Sequence, residues 1–170
     1  FARIFPRLNA FNFSYMVFKK RETLRRYFEN VHCALAEGGI FMVDLFGGTA
    51  APSTSIEEKE VEACRTADGV RVRPFTYIWE HEQFNPVTNE ILCNIHFAFP
   101  DGSRMEKAFT YDWRLWSIPE LLEILEEAGF SGSDVYTHGW DEDDESDEIY
   151  RPRRRFDNEE GWLAYVVGYR

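Results

Sequence analysis

The stretch Leu35-Ala-Glu-Gly-Gly-Ile-Phe-Met-Val-Asp-Leu-Phe-Gly-Gly48 constrains the fold more than any other part of the chain. An amphipathic segment runs into it, two glycines interrupt it, and an apolar run follows. Ile40, Phe41, Met42, Val43, Leu45 and Phe46 are apolar, and Asp44 is the one polar residue among them. A run that is apolar at both parities suits a strand covered on both faces, the pattern of a parallel sheet flanked by helices. In open α/β sheets, ligands bind beyond the carboxyl ends of the strands. That rule puts Asp44, Leu45, Phe46 and the Gly47-Gly48 turn beside a candidate site.

The preceding residues support the same architecture. In residues 21–36, Leu24, Tyr27, Phe28, Val31 and Leu35 fall on one helical face. Gly38-Gly39 is read as the left-handed stop of that helix. Residues 11–18 are mostly apolar and read as the end of a strand and the loop after it, with Asn12 and Ser14 as the polar positions. Residues 1–9 read as basic and irregular, because Pro6 argues against a regular element. Strand, helix, strand in that order implies a right-handed parallel crossover.

Residues 53–62 are polar and acidic and read as a short exposed helix. The character then changes. Residues 70–84, 90–99 and 104–113 read as three antiparallel strands joined by turns at Asn85-Pro-Val-Thr-Asn89 and Asp101-Gly102. Phe75, Tyr77, Trp79 and His81 share one parity of the first strand, and Ile91, Cys93, Ile95, Phe97 and Phe99 share one parity of the second. Met105, Phe109, Tyr111 and Trp113 complete an aromatic face on the third, a surface that must cover something. His96 has the opposite parity and is expected at the surface. The insert, residues 70–113, is expected within a single domain covering 1–170.

Ser117 and Glu120 have the spacing of a capping box, with Pro119 in the first turn and Gly129 as the stop. A strand is expected from Asp134, and an apolar strand over residues 161–169. The acidic residues 141–148 and the basic residues 151–155 read as solvated loop, since the fixed ligand spacing of a calcium loop is missing.

The net charge is −11, from 30 acidic and 19 basic residues. That balance argues against a nucleic-acid partner or an anionic membrane surface. No apolar run approaches about 20 residues, the length of a membrane-spanning helix. Cys33, Cys64 and Cys93 lack metal spacing and read as free thiols of a cytoplasmic protein with no metal site.

Three motifs, in this order, resemble the later part of a class I S-adenosylmethionine-dependent methyltransferase. Asn12-Phe-Ser-Tyr15 leading into a helix is similar to the segment after the family's fourth strand. Leu35 to Asp44 is similar to its turn into the fifth strand. Leu121-Leu-Glu-Ile-Leu-Glu-Glu-Ala-Gly-Phe130 resembles the helix before its sixth strand, with residues 161–169 as the seventh, antiparallel beside the fifth. The resemblance implies a partial Rossmann-like methyltransferase sheet with helices on its faces and an inserted three-stranded antiparallel lid sheet. It implies S-adenosylmethionine as cofactor and in-line methyl transfer to a small-molecule acceptor. The family's glycine-rich loop and the acidic end of its second strand have no counterpart here. The chain is therefore expected to be incomplete at its N-terminus and inactive alone. The alternative is a non-catalytic ligand-binding or protein-interaction module on a degenerate methyltransferase fold.

By position in that resemblance, Phe11, Asn12, Phe13 and Ser14 border the cofactor, and Tyr15 faces the substrate. Asp44 either points to the substrate or bonds loop amides. From the lid, Trp79, His81 and Tyr111 wall the acceptor. His81 and Tyr15 are the catalytic candidates, His81 because imidazole titrates near neutral pH. The aromatic lid and acidic charge suit a small apolar or cationic acceptor such as an amine. An unpaired edge on the first strand would invite a homodimer.

Overall fold

The apolar run at 40–46 is a strand with a parallel neighbour on one side and an antiparallel one on the other. In chain order the elements are β1 (Phe5–Ala10), α1 (Arg21–Ala34), β2 (Leu35–Gly47), β3 (Ser55–Val61), β4 (Cys64–Arg65), β5 (Arg71–Val72), β6 (Phe75–Asn85), β7 (Glu90–Ala98), β8 (Arg104–Arg114), α2 (Ile118–Glu127), β9 (Gly132–Thr137), β10 (Arg151–Pro152) and β11 (Trp162–Tyr169). This is a computed structural model, and it describes residues 4–139 and 146–170. Part of the acidic run at 141–148 therefore lies outside the described residues. The chain divides into two compact units, Phe1–Ala51 with Leu115–Arg170, and Pro52–Arg114.

The first unit holds a five-stranded sheet in the order β1-β2-β11-β9-β10. β1 is parallel to β2, and β11 is antiparallel to both β2 and β9. The antiparallel seat expected for residues 161–169 is thus observed: Val166 faces Val43 on one side and Val135 on the other. Leu24, Phe28 and Val31 of α1 and Leu121, Ile124 and Leu125 of α2 are buried with Phe41, Val43 and Leu45. The Phe41 ring meets Phe28 at 5.2 Å and Phe130 at 6.1 Å, so both helices lie on one face of the sheet. Each such fully buried side chain stabilises the fold by roughly 1.5–3 kcal/mol. Ile40, Met42 and Phe46, on the opposite face, are only half-buried. The run is apolar on both faces, but only one face is fully covered among the described residues.

Two expectations for this unit need correction. The first strand is Phe5–Ala10 and contains Pro6, whereas residues 11–18 turn away from the sheet. The pairing of β1 with β2 slips between Phe5 and Arg7, so the ladder is irregular where the proline has no N–H to give. The first helix also stops earlier than the glycines suggested. Leu35 is already extended, and Gly38, with φ +71°, makes the excursion between the pairings of Leu35 and Ile40.

The second unit is a four-stranded antiparallel sheet, β3-β6-β7-β8, with a two-stranded β4-β5 ladder. The three expected strands are present, and a fourth joins them. Residues expected as an exposed helix form β3, which pairs with β6 from Ser55–His81 to Val61–Phe75. Glu57, Glu58, Lys59 and Glu60 make it a charged edge strand, a sequence that discourages further pairing.

His96 also departs from expectation. It is 7% exposed, and Asn94 beside it is fully buried. His96 Nε2 lies 3.0 Å from Glu80 Oε2, and Nδ1 lies 2.6 Å from Glu106 Oε2. The Asn94 amide donates to Glu80 at 2.9 Å and Glu82 at 2.6 Å, and accepts from the Thr110 hydroxyl at 2.9 Å. Polar parity does place these residues together on the non-aromatic face. They are buried because they satisfy one another.

Candidate functional site

At the carboxyl end of β1 the chain makes a tight turn. Asn12 and Phe13 are both left-handed, with φ 56° and 55°, and Ser14–Val17 forms a short 3-10 turn. Neither residue is glycine, so the turn must be held from outside. Asp44 holds it. Its Oδ2 accepts the Asn12 amide at 2.9 Å and its Oδ1 the Phe13 amide at 3.0 Å. Of the two readings of Asp44, the structure therefore shows the bonding of loop amides. The carboxylate is 8% exposed and spans the carboxyl ends of two parallel strands.

The loop that Asp44 holds presents Phe11, Asn12 and Ser14 to the outside, with Phe13 half-buried against Phe46 at 4.9 Å. Phe11 is 41% exposed. Phe11, Asn12 and Ser14 give that end of the strands an exposed wall of one aromatic plane and two short polar side chains. Tyr15 does not belong to that wall. It is 1% exposed and packs toward Phe28 at 6.5 Å. Burial, and then the nearby Asp44 charge, push its phenol well above the ordinary tyrosine range. The side chain expected to face the substrate and to act in catalysis is thus placed in the core of this unit.

A line of rings not anticipated from the sequence starts at Phe11. Phe11 meets Tyr165 at 5.8 Å, Tyr165 meets Tyr150 at 4.8 Å, and Tyr150 meets His138 at 5.7 Å. Burial raises the Tyr150 phenol above its usual range. The line ends at a cavity of about 490 Å³ beyond the carboxyl end of β9 and the start of β11. Thr137, His138, Arg155, Phe156, Asp157 and Trp162 are among its lining residues. The Trp162 ring meets Phe156 edge-on at 5.3 Å, and its N–H donates to Asn158 Oδ1 at 2.9 Å. Parity alone would have put Tyr165 on the same face as Asp44. Nothing in the local sequence joins it to Phe11 or Tyr150, which lie far away along the chain.

In the second unit, Trp79, His81 and Tyr111 do come together. Trp79 lies 5.7 Å from His81 and 5.8 Å from Tyr111, and Tyr111 lies 4.4 Å from Trp113. The pairing slips between His81 and Gln83, a bulge that twists the strand just beyond the imidazole. Among the described residues no cluster of His, Cys, Asp or Glu side chains is arranged to hold a metal ion. No helix among them is long and apolar enough to cross a membrane.

No protein-family model matches the sequence, and no curated protein matches it. Solved structures do match. An S-adenosylmethionine-dependent methyltransferase from Clostridium acetobutylicum ATCC 824 aligns with 99% of this chain at 16% identity and a TM-score of 0.64. A sugar N-methyltransferase from Streptoalloteichus sp ATCC 53650 aligns with 99% at 18% identity and a TM-score of 0.61. The S-adenosylmethionine-bound amino pentose methyltransferase of calicheamicin biosynthesis from Micromonospora echinaspora aligns with 100% at 10% identity and a TM-score of 0.64. The chain spans 59%, 57% and 60% of their respective lengths. Over that share, it has the fold of the class I S-adenosylmethionine-dependent methyltransferases.

Proposed function

We propose that this chain is the acceptor-side part of an S-adenosylmethionine-dependent methyltransferase acting on a small molecule. The observation that carries the reading is the antiparallel β11 seated between parallel β2 and β9, in a fold shared with methyltransferases over nearly the whole chain. Phe11, Asn12, Phe13 and Ser14 form the wall that holds the cofactor. Asp44 is a positioning residue that fixes this wall through two amides. The bound cofactor supplies a methyl group on a positively charged sulfur, already activated for displacement. The protein's share is to align the acceptor and exclude water, which is worth roughly 7–11 kcal/mol when geometry is held well.

The acceptor is a small amine or alcohol. The acidic net charge and the sugar N-methyltransferase neighbour favour the amine. In the second unit, Trp79 and Tyr111 are the apolar contacts offered to the acceptor, and His81 is the group that takes the proton it sheds. The free thiols of Cys33 and Cys64 are exposed and suit a reducing, cytoplasmic compartment.

The test is calorimetric titration of S-adenosylhomocysteine into the full natural protein, wild type and Asn12→Ala. Micromolar binding that weakens in the variant supports the placement. Unchanged affinity in the variant removes these four residues from the cofactor wall. No binding in the wild type turns the reading toward a non-catalytic ligand-binding module.

A further inference from the structure

We propose a binding site for an amphipathic organic anion, an apolar body carrying a phosphate or carboxylate, at the strip Arg153-Arg154-Arg155-Phe156. A cavity of about 500 Å³ lies between the start of α2 and the outer side of β9. Ile118, Pro119, Leu122, Val135 and Phe156 give it an apolar lining, and the three arginines stand on its rim. That volume lies within the range of small-ligand sites. The strip is anchored by its backbone, since the Arg153 N–H donates to the Val135 carbonyl at 2.8 Å.

The charges make the inference. Arg21, Arg25 and Arg151 each pair with a carboxylate. Arg153, Arg154 and Arg155 have no ion pair among the described residues, in a chain of net charge −11. The three are consecutive and exposed, and their forked donors match carboxylate and phosphate oxygens. The carboxylate in the lining, Asp134, already accepts the Tyr169 hydroxyl at 3.0 Å. The site runs along Ser133–Val135, before the carboxyl end of β9, so it does not depend on methyl transfer. Arg153, Arg155 and Phe156 also line the cavity beyond that carboxyl end, so an anion held here changes the wall of that neighbouring cavity.

The test is calorimetric titration of phenyl phosphate, benzoate, phenol and inorganic phosphate into the chain at low ionic strength. The expected result is saturable binding of phenyl phosphate or benzoate, at least about tenfold tighter than phenol and inorganic phosphate. A preference of about tenfold between the two aromatic anions assigns the head group. The double variant Arg153→Gln/Arg155→Gln, with unchanged thermal unfolding, should weaken binding at least about tenfold, and Arg104→Gln in the other unit should leave it unchanged. No saturable binding, equal binding of phenol, or equal loss in the Arg104 variant would overturn the proposal. Each outcome is read without the cofactor, and so is separate from the fate of the methyltransferase reading.

Discussion

Gly47 is the cross-strand partner of Trp162, and a methyl group added at Gly47 would come within 2.2 Å of the indole ring. Trp162 therefore lies flat over a backbone that has no side chain to move it. The next residue, Gly48, has φ +119° and sits against the Glu160 carbonyl. Gly47→Ala must push the indole out of the cavity beyond β9. We expect a loss of about 1–3 kcal/mol in urea unfolding, the usual cost of overpacking, with a changed Trp fluorescence in the folded state. An unaltered spectrum and stability would show that the ring is free to shift.

Asp44→Asn keeps the size of the side chain but sets an amide N–H against one of the two backbone donors. Hydrogen bonds to a charged acceptor contribute about 1.5–3 kcal/mol, so the variant should lose about 2 kcal/mol. If Asp44 is a positioning residue, cofactor affinity should fall in the same variant, because the Asn12-Phe13 turn relaxes. Loss of stability without loss of affinity would leave Asp44 as a strand-end staple only.

The Tyr15 hydroxyl is buried and has no hydrogen-bond partner among the described residues. Leaving such a group unmet costs roughly 1–3 kcal/mol. Tyr15→Phe should therefore raise the free energy of unfolding, by up to about 1 kcal/mol. A drop in stability would mean that the hydroxyl finds a partner, and would reopen a polar role for this residue.

Acid should weaken the second unit's sheet. Glu80 is held below the ordinary carboxylate range, first by the Asn94 amide and then by His96. Glu82 is lowered first by the Lys107 ammonium and then by Asn94. A depressed folded pKa means that the ionised groups stabilise the fold above the usual glutamate value of about 4.3, and that this contribution is lost as pH falls below it. Unfolding midpoints between neutral pH and about pH 3.5 should fall more steeply in wild type than in Glu80→Gln. Parallel curves would show that the network contributes nothing to the acid limb. Both side chains are partly open to solvent, so the difference should be modest.

Much of the architecture was legible because it follows from local rules. The α2 capping box is formed as spaced: the Ser117 N–H donates to Glu120 at 2.9 Å, and the Glu120 N–H to the Ser117 hydroxyl. The aromatic parity of Phe75, Tyr77, Trp79 and His81 carried directly into one sheet face. The misses share a cause. β1 tolerates Pro6 only because the ladder slips there, and β3 is a strand only because β6 offers it an edge. His96 is buried because partners on two other strands meet it. Each depends on residues distant in the chain, which neither period nor propensity reports. The candidate site divides the same way. Asp44 was found from its strand end, while the Phe11–Tyr165–Tyr150–His138 line joins four separate segments.

The seat of β11 has a consequence for how the first unit assembles. β2 and β9 never pair with each other, so within the sheet β11 alone joins β1-β2 to β9-β10. Its contacts with β2 join residues more than a hundred positions apart, and contacts of such high sequence separation form slowly. Until they form, both flanking strands expose an open edge. Trp162, at the start of β11, lines the cavity beyond β9, so a mutation in β11 should lower the yield of folded protein as well as reshape that cavity.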